Sequence, residues 1–361
     1  WGLFLFYAVI HRSSFEVETL AFFLCTLGMA AIATVKPGEI LKQAAAMVLG
    51  VLTFLLIGWS LRDLERAKRC RYLAVLLGVG FLVITLLFGR EYYGAKNWLV
   101  IGGLSLQPSE LSKVCFVYAG ASTMDRIMNK RNLILFIAYS VVICGLLALM
   151  NDFGTAMIFF CAFLIIAYLR SGSVGTIALA CTALGFAGVL AIRIAPHALN
   201  RFATWRHIWE NPYSSGYQQT QAIMCIASGG LFGLGAGKGF LQKVFAADSD
   251  IVFATISEEW GLLLALLAVL AVAALGFFAI RTSRVSRSSF YCIGGCTAAG
   301  ILLIQAALNC LGTVDVLPFT GVTFPFLSNG GTSMIGAWGL LAFVKAADTR
   351  QNASFAVRYT K

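Results

Sequence analysis

Two carboxylates, Asp248 and Asp250, stand two residues apart in a polar run that ends just before a long apolar stretch. A carboxylate at the mouth of a membrane cavity can take a proton from a sugar hydroxyl, while nearby Lys and Arg neutralise charge developing on a phosphate leaving group. Arg201, Lys96, Lys238 and Lys243 are the cations available for that work. Acids this close can be coupled, so which of Asp248 and Asp250 is the base stays open, and the N-cap of a short helix is the lesser, structural reading of Asp250. Glu110 and Lys113 are three apart and share a helix face. Charges just inside an apolar span are costly unless paired or lining a polar cavity, so this pair is a second site candidate, with a purely structural ion pair as its rival. Asp152, in Met150-Asn151-Asp152-Phe153-Gly154-Thr155, is most simply an N-cap.

Other chemistries find no support. There is no Ser/His/Asp set, and His11, His197 and His207 match no zinc-hydrolase spacing. The glycine-rich stretch Ser228–Gly239 is not a phosphate loop. GxxxxGK[ST] requires a Gly where Phe232 stands and a Ser or Thr where Gly239 stands. Its small residues, spaced four apart, instead allow close helix packing or tight turns. Most of the 10 cysteines lie in apolar runs, and Cys292/Cys296 read as packing. No metal cluster or cofactor is implied, and the residues leave open whether a divalent cation assists.

These groups must be held by a membrane scaffold. Of 361 residues, 59% are hydrophobic and 12% charged, far from the balance of a soluble domain. The mean hydropathy is +0.84. Apolar runs give an all-α, polytopic membrane protein of about ten helices, at about 19–35, 44–61, 72–89, 108–124, 133–149, 154–170, 175–194, 258–280, 290–312 and 332–347. The whole chain, 1–361, reads as one integral membrane domain with a long outer loop, about 195–257, between spans seven and eight. The chain starts at Trp1 without Met, and residues 1–18 read as the tail of an extra N-terminal segment.

Basic residues alternate between connectors. Arg62, Arg66, Lys68, Arg69 and Arg71, then Arg126, Lys130 and Arg131, then Arg170, then Arg281, Arg284 and Arg287, then Lys345, Arg350, Arg358 and Lys361 should face the cytoplasm, with both termini. The net charge of +11 is therefore chiefly an orientation signal, and nucleic acid is not an expected partner. The remaining connectors are poor in cations and collect on the outer face. Tyr92, Tyr93 and Trp98 in one of them suit the headgroup level as interfacial aromatics. In another, two prolines and a Gly pair across 318–331 mark irregular backbone that lines a cavity or is buried in protein.

Six motifs in order are similar to those of the SEDS family of rod-shape, division and sporulation proteins (RodA/FtsW/SpoVE-like) from about the first span to the last. They are GAKNW with QPSELSK (94–98 and 107–113), DFGTA (152–156), GYQQTQ (216–221), ASGGLFGLG (227–235), DSDIVFATISEEWG (248–261) and TGVTFPFLSNGGTS (320–333). The resemblance implies a GT-C-like fold in the bacterial cytoplasmic membrane and an outward-facing peptidoglycan glycosyltransferase. Such an enzyme polymerises lipid II, the undecaprenyl-diphosphate-linked precursor, beside a class B penicillin-binding protein. It also implies that Asp250 is the catalytic aspartate and that Trp98 is the family's tryptophan. The chain departs from the family pattern at Ala246 for Glu, Asp248 for His, Asn329 for Tyr, and Met150-Asn151 for Gln-Pro, which marks a divergent member.

The expected chemistry is an inverting transfer. Asp250 acts as base, Lys96, Lys113 and Arg201 help hold diphosphate, and Trp98, Glu110 and Asp248 line the substrate site. A lipid II flippase and a non-catalytic scaffold for the penicillin-binding protein remain the rival readings.

Overall fold

The computed structural model describes the chain apart from residues 93, 103, 125–129, 176, 179, 183–184, 186–201, 351–353 and 358–361. Helices α1 (Gly2–Val9), α2 (Glu16–Val35), α3 (Ile40–Leu61), α4 (Leu64–Arg69) and α5 (Arg71–Phe88) are followed by three short strands. After these come α6 (Pro108–Met124), α7 (Lys130–Leu149) and α8 (Phe153–Ser171). The C-terminal half holds α9 (Tyr217–Gly229), α10 (Val252–Trp260), α11 (Leu262–Ser283), α12 (Ser289–Thr313) and α13 (Gly331–Ala346).

Among the described residues, 7 helices are long and apolar enough to cross a membrane. α6 and α13 are shorter and lie inside the bundle. The seventh expected span, 175–194, falls mostly outside the described residues, and 174–182 are helical wherever they are described. The chain is a multi-pass, essentially all-helical membrane protein.

Apolar side chains cover both the inside and the outside of this bundle, as a hydrocarbon environment requires. Leu49, Leu52 and Leu56 on α3 and Leu263, Leu266 and Leu270 on α11 are exposed. α13 is almost entirely buried, and its Trp338 packs against Phe22, Phe54 and Phe326 with ring centroids 5.0, 5.6 and 5.7 Å away. Small residues allow the approach: a Cβ on Gly50 would stand 2.6 Å from the Trp338 ring.

Four expectations are refined. The connector before α6 is not helical or coiled: β1 (Arg90–Tyr92), β2 (Ala95–Ile101) and β3 (Leu104–Leu106) form an antiparallel sheet in the order β1-β2-β3. Span eight begins at Leu262, because Gly261 at φ 93° breaks the chain and leaves Glu258, Glu259 and Trp260 in α10. The described part of the long loop, from 202 on, is well structured. α9 lays Ala222 and Cys225 against Leu241, Val244, Ala247, Ile251 and Ala254, a satellite core outside the main bundle. Finally, Lys345 is not a loop cation: it is fully buried and pairs with Glu18 at 3.0 Å.

α2 connects two polar clusters. At its N-terminal end Glu18 accepts from Tyr7 Oη at 2.6 Å and from Lys345, whose Nζ also donates to the Ser14 carbonyl at 2.7 Å. Arg350 joins the same end through Asp348 and Glu16. With 20 residues, α2 is ~30 Å long, the thickness of a hydrocarbon core. Lys36 follows at the other end, where the candidate site lies.

Candidate functional site

Asp248 and Asp250 sit in a tight turn before α10. The turn forms because three successive N–H groups, of Ser249, Asp250 and Ile251, converge on the Ala246 carbonyl at 3.1, 3.0 and 3.4 Å. Ala246 itself has φ 57°, a left-handed conformation that costs a non-glycine residue roughly 1–2 kcal/mol and persists only where the surroundings enforce it. The surroundings do so here through later parts of the chain. Ser328 Oγ donates to the Ser249 carbonyl at 2.6 Å, Asn309 Nδ2 donates to the carbonyls of Asp250 and Val322 at 2.9 and 2.8 Å, and the Asn329 N–H donates to the Asp248 carbonyl at 2.8 Å.

The two acids have different surroundings. Asp248 is 1% exposed, with Lys36 Nζ 2.8 Å from Oδ1 and Asn329 Nδ2 donating to Oδ2 at 2.6 Å. Asp250 is half-buried and faces the 318–328 segment, where a Cβ on Gly321 would stand 3.3 Å from Asp250 Oδ2. Asp250 does not cap α10, whose N-cap is Ile251 with no side-chain cap bond. The N-cap reading of Asp250 is therefore corrected. Lys36 is the cation that pairs with Asp248, and its sequence context marks it only as one of a few outer-loop cations.

Glu110 and Lys113 form the expected ion pair, with Nζ 2.7 Å from Oε2 and both side chains buried. Beyond this ionic contact Lys113 Nζ has no hydrogen-bond partner among the described residues. Pro108 opens α6, and the helix is held against its neighbours by Ser112 Oγ, which donates to the Gly78 carbonyl at 3.1 Å. α13 comes close because of Gly336, where a Cβ would stand 2.9 Å from the Glu110 carbonyl.

One segment joins the two groups. Asn329 holds Asp248, and three residues on Thr332 Oγ1 accepts from the Gln107 N–H at 3.1 Å, at the start of α6. Three residues of chain span at most about 10 Å, so both charged groups belong to one end of the bundle.

The sheet belongs to the same end. Lys96 and Trp98 lie on β2, half-buried, and the Lys96 N–H donates to the Met150 carbonyl at 2.9 Å. Asn97 Nδ2 donates to Asp152 at 3.1 Å, and Asp152 caps α8 by accepting from the Thr155 N–H, also at 3.1 Å. Asp152 is thus an N-cap, as its position indicated. The irregular 318–331 backbone is buried in protein: Phe324, Phe326, Leu327 and Ser328 are all buried. Arg201 lies outside the described residues, as does Tyr93. Among the described residues no group of His, Cys, Asp and Glu side chains is arranged to hold a metal ion.

The glycine-rich stretch has a mechanical role. Leu234 and Gly235 donate to the last carbonyls of α10, those of Glu258 and Glu259, both at 2.9 Å, while Leu262 at the start of α11 donates to the Gly230 carbonyl at 3.0 Å. Each side satisfies the terminal groups that helices leave unpaired. Glu258, 1% exposed, completes the clasp by accepting from the Phe240 and Leu241 N–H groups at 2.8 and 3.0 Å.

Lys36, Asn309, Ser328 and Asn329 are the site residues that sequence reasoning missed, together with Glu39, which accepts from Asn329 Nδ2, and Gln43, whose Nε2 donates to the Ser328 carbonyl at 3.2 Å. Asn309 carried a usable signal, being an amide inside an apolar span. Lys36 carried none, because its partner is 212 residues away.

The fold and this site define a multi-pass membrane protein with a polar, charged site walled by connectors at one end of the bundle. The family model described as "Cell cycle protein", that of FtsW, RodA and SpoVE, matches residues 19–353, and the chain belongs to that family. It is 30% identical over 325 residues to the peptidoglycan glycosyltransferase RodA of Mycobacterium tuberculosis, covering 84% of this chain and 69% of that one. It is 31% identical over 341 residues to the probable peptidoglycan glycosyltransferase FtsW of Bacillus subtilis, covering 86% and 83%. Among solved structures, a chain of a peptidoglycan synthase complex superposes with a TM-score of 0.75 at 22% identity over 92% of this chain and 96% of that one. The crystal structure of the Thermus thermophilus rod shape determining protein RodA does so with 0.65 at 23% identity, over 92% and 95%. At these identities the two structures speak for the fold alone.

Proposed function

We propose that the chain is a peptidoglycan glycosyltransferase of the bacterial cytoplasmic membrane, polymerising lipid II on the outer face with both termini inside. The observation that carries this reading is the position of Asp250: a half-buried carboxylate on a turn fixed by two later segments, two residues from the lysine-paired Asp248 and at the same end of the bundle as a buried Glu/Lys pair. The names borne by the relatives agree with it.

In the reaction Asp250 takes the proton of the acceptor sugar hydroxyl as that oxygen attacks the anomeric carbon of the donor. The bond from that carbon to the diphosphate breaks with inversion, and the polyprenyl diphosphate leaves with the electron pair. The leaving group is already activated. The protein therefore has to orient two lipid-anchored substrates, supply a base and neutralise growing charge. Lys113, Lys96 and Arg201 serve the diphosphates. Lys113 is the best supported of these, because its buried ammonium has donors to spare. Trp98, with Glu110, borders the sugar. A class B penicillin-binding protein is the partner that crosslinks the product.

The test supplies lipid II to the purified full chain with that partner and resolves products on a gel. A polymer ladder with wild type, lost in Asp250→Asn, is expected. A ladder of undiminished rate from Asp250→Asn overturns the assignment. Lipid II that crosses liposomes without being lengthened favours a flippase instead, and neither activity favours a scaffold.

A further inference from the structure

The turn offers two acids, and the surroundings of Asp248 exclude it from proton transfer. One carboxylate oxygen faces Lys36 Nζ at 2.8 Å, the other accepts from Asn329 Nδ2 at 2.6 Å, and the side chain is 1% exposed. An ionised carboxylate only accepts hydrogen bonds, and these two contacts engage both of its oxygens. A proton on either oxygen would displace one of these two contacts. Asn329 is itself held, because the same amide nitrogen donates to Glu39 Oε2 at 2.7 Å.

Lys36 is the outward member of this set. It is 47% exposed in its side chain while its partner is sealed. Its backbone is fixed on both sides: its N–H continues α2 by donating to the Ile32 carbonyl at 2.8 Å, and Pro37 follows. An ammonium has three N–H donors, and among the described residues its side-chain contact is with one oxygen of Asp248, so a half-exposed ammonium keeps donors for a further acceptor. Positions 248 and 329, two of those at which this chain departs from the family pattern, touch each other, and Asp248 also holds Lys36, so the three are linked through Asp248.

We infer that Lys36 is an anion-binding residue of the transfer site, aimed at the diphosphate of the lipid-linked substrate, and that Asp248 is the positioning residue that holds it. The inference rests on the proposed transferase activity and deepens it. Asp248 offsets much of the charge of Lys36, so its contribution is a directed hydrogen bond more than a long-range field. The expected effect is correspondingly modest.

The experiment is steady-state polymerisation of lipid II by the full chain with its penicillin-binding partner, with pH profiles. Lys36→Ala should raise KM about fivefold with kcat within about twofold, as expected for loss of one half-exposed charged hydrogen bond, and Lys36→Arg should restore most of it. Inorganic diphosphate, added as a competitor, should inhibit Lys36→Ala more weakly by the same factor. Asp248→Asn should raise KM likewise and keep the acid limb of the kcat profile, whereas Asp250→Asn should abolish turnover. Unchanged KM and unchanged diphosphate inhibition in Lys36→Ala overturn the inference. So does an Asp248→Asn protein as dead as Asp250→Asn. If Lys36→Ala does not fold, Lys36→Gln, which keeps a donor to Asp248, carries the same comparison. A wild type that makes no polymer defeats the transferase reading instead, and direct calorimetric binding of undecaprenyl diphosphate to wild type and Lys36→Ala then decides on Lys36 alone.

Discussion

Glu110 and Lys113 lie 2.7 Å apart on the first turns of α6, both buried, in a helix that Gly336 allows α13 to touch. Removing one member leaves an uncompensated buried charge, which typically costs about 3–5 kcal/mol. Lys113→Met and Glu110→Gln should each lower the melting temperature in detergent sharply, and the double variant should recover most of that loss. Polymerisation should stay lost in the double variant. Recovery of activity along with stability would reduce the pair to a structural role.

Glu258 is the second buried carboxylate with a checkable function. It accepts the N–H groups of Phe240 and Leu241, and Leu241 is fully buried. Glu258→Ala leaves those donors unpaired and should cost on the order of 3 kcal/mol in unfolding free energy. Glu258→Gln keeps one acceptor oxygen and should lose about half as much. Denaturant titrations of the purified proteins read the difference.

Two glycines of the bundle should respond in opposite directions to the same methyl group. Gly261 has φ 93°, and a Cβ there would stand 2.3 Å from the Leu231 carbonyl, whereas Gly80 in α5 has nothing within 4 Å. Gly261→Ala has to break the clasp of the glycine-rich stretch on α10 and α11 and should reduce yield and melting temperature markedly. Gly80→Ala should be neutral or stabilising by about 0.5–1 kcal/mol through helix propensity.

Cys225 on α9 gives a pH-dependent readout of the satellite core. Burial first, and Glu258 beside it second, push its thiol up to about 12. A raised thiol pKa means little thiolate at neutral pH, and the thiolate is the reactive form. Alkylation by maleimide, followed by peptide mass spectrometry, should therefore be slow at pH 8 and still climbing with pH at 10, where an ordinary thiol has levelled off. Chemical unfolding should abolish the protection.

Much of this arrangement was legible in the residues, and what was not has identifiable causes. Apolar run length placed α2, α3, α5, α7, α8, α12 and α13 to within a few residues, because a bilayer imposes both length and composition. Glu110 with Lys113 was readable because a helix fixes the geometry of residues three apart. The β-sheet was missed although Gly102-Gly103 lies between β2 and β3 as a hairpin turn would, since its strands are short and carry no clean alternation. Span eight was placed too early because Glu258 and Glu259 looked like its polar edge, whereas both are buried in a separate helix. Lys36 was unreadable in principle: nothing near position 36 reports an aspartate 212 residues later.

The turn carrying Asp250 is secured by Asn309, Ser328 and Asn329, all of them downstream of it. The order of synthesis follows from that. A nascent chain can thread everything through α11 into the bilayer with every charged residue of the candidate site already present and still have no assembled site, because the residues that fix the turn have yet to emerge from the ribosome. With Asp250 as the proposed base, the turn that carries it is completed only with the last two helices, so an abandoned fragment is expected to insert in the membrane without a finished site.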